Sequence, residues 1–168
     1  MLDTFSRQTL CNSLVQPHID YCITTWYSGT FECHKKRLEV LQRKMVRYIH
    51  NLNFRAHVDS SALKRLGWLS IPDRAKFFWL LHMFRIHAGT APAYLCEGFA
   101  HVNSVHRYET RGSLTDFFVP RGAGTQFINR GFFYLGIRDW NALPAPLKKC
   151  ERERVFKDKL KEYFLSFY

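Results

Sequence analysis

The stretch from Ser70 to Gly89, SIPDRAKFFWLLHMFRIHAG, constrains the fold more than any other segment of the chain. Pro72 suits the first position of a helix, where a missing N–H costs nothing, and Asp73 favours the positive end of the helix dipole. Gly89 supplies a stop. Between them Phe77, Phe78, Trp79, Leu80, Leu81, Met83, Phe84 and Ile86 leave the helix apolar nearly all round. Such a helix has no face to offer water, so other elements must cover it on several sides. It is the expected central element. His82 and the charged residues interrupt the apolar run well short of the ~18 positions needed to span a bilayer. A hydrophobic content of 46% over 168 residues, with 16% aromatics, supplies the covering elements and excludes intrinsic disorder.

The remaining segments read mostly as helices. Phe5, Leu10, Leu14 and Val15 fit a first helix over 4–15, and Pro17 should break it at Gln16. A second helix should restart over 19–27 and close in the Ser28-Gly29-Thr30 turn. In HKKRLEVLQRKMVRYIHNL, Leu38, Leu41, Met45, Ile49 and Leu52 fall within a sector of about 80°, while Lys36, Arg43 and Arg47 lie about 140–180° away from Leu38. One face should pack and the other is cationic. Ser60 or Ser61 is the expected N-cap of a short helix ending at Gly67. From about Gly98 to Gly136 the composition changes, and phrases such as DFFVPR and GFFYLGIRDW suggest short strands and tight turns. Phe156, Leu160, Tyr163, Phe164 and Phe167 then mark a C-terminal amphipathic helix. The expected fold class is mainly α (α+β): a helical bundle over 1–97, then a small region of short strands and a terminal helix over 98–168, within one folding unit.

The charge balance decides which function classes survive. Against 14 acidic residues stand 25 Lys and Arg, a formal net charge of +11. Nucleic acid is the first candidate partner, an anionic membrane surface the second, and plain solvated surface the alternative to both. Five cysteines in irregular surroundings and no leader signature suggest a reducing, intracellular compartment. Two-metal polymerase chemistry needs converging carboxylates, yet the closest acidic spacing is Glu151-x-Glu153, whose side chains diverge on a helix. No catalytic residue is therefore assigned. His18, Cys22, Cys33 and His34 are zinc-type ligands within seventeen positions, but the spacing matches no strong finger or knuckle. Buried thiols that merely pack are the commoner outcome. No metal or cofactor is expected. RGAGT, at Arg121 to Thr125, lacks the Lys and Ser/Thr of a phosphate-cradling loop and reads as a turn.

What remains is basic residues interleaved with aromatics. Lys36, Arg43, Lys44 and Arg47 can neutralise phosphates, and in HRYETRGS the residues His106, Arg107, Tyr108 and Arg111 can contact a backbone or stack on bases. Glu39 is the only acid between His34 and Leu52, so the helix cannot neutralise its own cations.

Four phrases carry a resemblance. They are LCNSLVQPHIDYCITTW (10–26), RLEVLQRKMVRYIHNL (37–52), LKRLGWLSIPDRAKFFWLLHMFRIHAGTAPAYL (63–95) and INRGFFYLGIRDWNALPAPLKK (128–149), the last followed by a basic FKDKLK helix. In order and spacing they resemble the C-terminal thumb and post-thumb region of the reverse transcriptase of non-LTR retrotransposons, the jockey-like and Rex-like LINE elements. The resemblance implies a helical thumb that packs against an RNA–DNA template–primer duplex, a post-thumb segment that helps hold nucleic acid, and an upstream palm as protein partner. It implies residence in cytoplasm and nucleus. The family's catalytic Tyr-x-Asp-Asp motif and its endonuclease lie upstream of such a segment, and neither motif occurs in these 168 residues. The alternative is an inactive structural or protein-interaction remnant of a truncated or domesticated element.

Overall fold

A computed structural model describes residues 2–105, 115–119 and 131–168. The chain is mainly helical. In order run α1 (Thr4–Leu10), a π-helical turn (Cys11–Val15), α2 (Gln16–Asp20), α3 (Ile23–Trp26), α4 (Glu32–Ile49), α5 (Ser60–Arg65), α6 (Ile71–His87), α7 (Ala93–Cys96), α8 (Val102–Val105), α9 (Phe132–Asn141), α10 (Ala145–Lys148) and α11 (Glu153–Leu165). They group into two compact units, Met1–Ala75 with Tyr163–Tyr168, and Lys76–Glu162. The composition shift near residue 98 falls inside the second unit. No residue of α6 is exposed, as its composition requires. Among the described residues no helix is long and apolar enough to cross a membrane.

In the first unit Cys11, Met45, Val46, Ile49, Ala62 and Trp68 form a core, flanked by Val15, Val58, Leu63 and Leu66. Pro17 does not break the chain where expected. The helix widens into the π turn, with the Gln16 N–H donating to the Cys11 carbonyl. Widening relieves the clash that a proline ring makes with the carbonyl four residues back. The true break comes at Tyr21 and Cys22, where Cys22 takes a left-handed φ of 50°. Asp20 just before it makes a bidentate pair with Arg74. The N-cap of α5 is Asp59, not Ser60 or Ser61, its carboxylate accepting from the Ala62 N–H at 3.2 Å. Gly67, at φ 63°, ends the following turn as expected.

The second unit packs around aromatic rings. Phe84 stacks on Phe156 with centroids 4.5 Å apart, and Trp140 lies 5.8 Å from Phe156. The strands expected over 98–136 are corrected: among the described residues only an isolated antiparallel bridge joins His101 to Phe117. Gly131 to Trp140 is not a strand but leads into α9, because its apolar residues follow a helical spacing. Gly136, Ile137 and Trp140 are all buried on one face. A side chain of Asn141 does the work a partner strand would do, accepting from the Phe117 N–H at 3.0 Å and donating to the Phe117 carbonyl at 2.8 Å. Lys148 is buried yet satisfied, its ammonium 2.7 Å from Asp116 and 2.8 Å from the Asn141 carbonyl.

Candidate nucleic-acid interface

The long helix α4 begins with Glu32 in its first turn, paired to Lys35 at 2.8 Å. Its other end is held by Arg7. That buried guanidinium donates to the Tyr48 carbonyl at 3.1 Å and lies over the Tyr48 ring at 5.6 Å, so a cation meets the negative end of the dipole. Gln42, Met45, Val46 and Ile49 are buried. The packed face is therefore turned from the expected one. Leu41 and Leu52 are exposed, whereas Gln42 is drawn in by donating from its side-chain amide to the Leu69 carbonyl at 2.8 Å. Leu52 lies beyond the helix end, after Asn51 has turned left-handed at φ 53°.

This turn reassigns the cationic residues. Lys36 and Lys44 are exposed, while Arg43 and Arg47 are half-buried. Arg47 spends its Nε–H on the Ala56 carbonyl at 2.8 Å, and Arg43 borders a hollow shared with the carboxylates Glu39 and Asp59. Two of the four expected phosphate contacts thus have structural neighbours of their own. Arg37, which the apolar sector drawn on Leu38 and Leu41 hid, is exposed. Lys36, Arg37, Val40, Leu41 and Lys44 line an open hollow of about 330 Å³. Centring the apolar sector on Gln42 and Val46 would have revealed it from sequence, because Arg37 and Lys44, seven residues apart, then share the outward face.

Arg107 and Arg111 lie outside the described residues, as do His106, Tyr108 and the Arg121 to Thr125 turn. In the second unit, Lys149, Arg152 and Lys159 line a further cationic hollow of about 420 Å³, with Glu151 as its only acid. Glu153 does not join it in acid–base work, since its carboxylate is paired with Arg85 at 2.6 Å, and that guanidinium holds its pKa below the usual value. Among the described residues no three His, Cys, Asp or Glu side chains are placed to share a metal ion. Cys22 and Cys33 are exposed free thiols, and the His34 ring faces Phe31 at 6.5 Å.

No protein-family model, no curated protein and no solved structure matches the chain. The geometry of α4 and the phrases of the sequence are what bear on function.

Proposed function

We propose that this chain is a nucleic-acid-binding module of the thumb and post-thumb kind found at the C-terminal end of non-LTR retrotransposon reverse transcriptases, holding a template–primer duplex and carrying no polymerase site of its own. The observation that supports it most is the outward array of Lys36, Arg37 and Lys44 on a helix whose opposite face is locked into a core. Rigid presentation matters because cations already held outward can neutralise phosphates without first losing conformational freedom. Arg43 and Arg47 stand beside the array and contribute less. Exposed Leu2, Phe5, Leu10 and Leu14 on and around α1 suit an apolar contact with an upstream palm in a longer polypeptide. Cytoplasm and nucleus are the compartments such a module would occupy.

Binding to an RNA–DNA hybrid, followed against salt, tests the reading. The wild-type protein should bind with a dissociation constant on the order of 10⁻⁶ to 10⁻⁴ M at physiological salt, weakening steeply as salt rises. Replacing Lys36, Arg37 and Lys44 together by Glu should cut affinity at least tenfold and flatten the log–log salt slope by about three. Unchanged affinity and slope would remove α4 from the interface. The second reading, a protein-interaction remnant, draws on the exposed Val40 and Leu41 in the floor of the same hollow. A thermal midpoint that does not rise with added hybrid would favour it, since a ligand of the folded state must stabilise that state.

A further inference from the structure

The segment after α4 is built to hold one aromatic ring in water. Asn51 turns the chain left-handed, and the Leu52 N–H returns to the Arg47 carbonyl at 2.9 Å. A tight turn follows: the Ala56 N–H donates to the Asn53 carbonyl at 2.9 Å, and the Asn53 side chain accepts from the Arg55 N–H at 3.0 Å. Arg47 clamps the far side through the Ala56 carbonyl. The backbone of the turn is thus fixed by hydrogen bonds from four directions, yet its tip, Phe54, is 74% exposed. The Arg55 guanidinium sits over that ring at 5.1 Å. Phe31 is as exposed, but it faces His34, and no guanidinium of the described residues lies over it.

We infer that Phe54 and Arg55 form a stacking site for an unpaired base of a polynucleotide strand, with Arg55 also meeting that strand's phosphate. A base has a π-face that an exposed phenyl ring can cover, and a guanidinium can stack on the same ring or turn to the backbone. Charge places the strand. At 100° per residue Arg47 lies about 20° from the exposed Lys36 on α4, so the turn it clamps stands at the C-terminal end of the line that Lys36 begins. A strand following that line reaches the ring at the end of the helix, where a paired duplex would present no free base. The site therefore selects nucleic acid with a single-stranded extension over a blunt hybrid. This rests on the nucleic-acid reading above and adds to it a preference that phosphate contacts alone cannot create.

Two probes separate the ideas: a blunt RNA–DNA hybrid, and the same hybrid with a five-nucleotide single-stranded tail carrying 2-aminopurine. The wild-type protein should bind the tailed probe about 5- to 100-fold more tightly, as one stacked base allows, and quench the 2-aminopurine. Phe54→Ala should abolish both the preference and the quench while leaving blunt-hybrid affinity, salt slope and thermal midpoint unchanged, because the ring is exposed and uncharged. Phe54→Trp should keep the preference. Arg55→Ala should weaken tailed binding and lower its salt slope by about one. A wild-type protein with equal affinity for the two probes, or a preference that survives Phe54→Ala, overturns the stacking site while the phosphate grip stands. Binding of neither probe overturns both.

Discussion

Tyr168 shows how a single hydroxyl can complete the start of a helix. Ser70 precedes α6, and its side chain both accepts from the Asp73 N–H at 3.3 Å and donates to the Asp73 carboxylate at 2.6 Å. A capping box would return that carboxylate to the Ser70 N–H. Here the Tyr168 hydroxyl stands between them, accepting from the Ser70 N–H and donating to Asp73, both at 2.6 Å. Tyr168→Phe leaves the half-buried Ser70 N–H without its acceptor and should cost about 1 kcal/mol in urea denaturation at neutral pH. No loss would show that the relay is replaced by water. Burial, and then the bond to Asp73, push the Tyr168 pKa up to about 12. A raised folded-state value means the relay's contribution is intact below the unfolded value near 10 and is lost as pH climbs through about 12. The variant should lose that part of its alkaline sensitivity. None of this was legible in the sequence, where Tyr168 stood outside the apolar repeat of the last helix.

At the scale of elements, the helix starts and stops were readable where a residue's own backbone chemistry decides them, as at Gly67 and Gly89, both with positive φ. They were misread where a neighbour decides. Pro17 signalled a break, but a π turn absorbed the ring. The aromatic run of α9 signalled strands, because phenylalanine and tyrosine are enriched in strands, and only a packing surface selects the helical period over that preference. Gly136 records that selection. A Cβ there would lie 2.8 Å from the Met83 sulfur, so a larger residue fits against α6 only if the Met83 side chain shifts. Gly136→Ala gains up to about 1 kcal/mol of helix propensity but overpacks a site whose crowding costs about 1–3 kcal/mol. A net loss of about 1 kcal/mol is expected in thermal or denaturant unfolding. A gain would mean that Met83 moves aside without strain.

For the molecule as a whole, acid should act unequally on the two units. In the second, His87 packs 5.3 Å from Trp140 and 5.2 Å from His101, and both imidazoles bury an Nδ1 that has no hydrogen-bond partner among the described residues. Burial first, then the charges of His101 and Lys148, hold the His87 pKa below its ordinary value of 6.5. Burial and Arg85 lower that of His82 also, against an opposing pull from Glu153. A lowered folded-state value keeps these rings neutral in the fold, so the unfolded chain binds more protons and stability falls as pH drops below about 6.5. Amide exchange, corrected for its intrinsic pH dependence, should therefore show residues 76–162 losing protection between pH 7.5 and 5 before residues 2–75 do. His87→Phe should blunt the difference. Equal loss in both units would locate the acid sensitivity elsewhere.

The sequence by itself determined the mainly helical class, the burial of α6 and the cationic character of α4, because composition and period act within one segment and need no partner. Only the tertiary structure decided which cations stay free. The amide of Gln42 finds the Leu69 carbonyl, α4 turns with it, Arg47 is committed to the Ala56 carbonyl, and Arg37 comes to the surface. Those outcomes depend on hydrogen-bond partners 9 and 27 residues away. A helical wheel shows which residues of α4 share a face, not which face those partners draw inward.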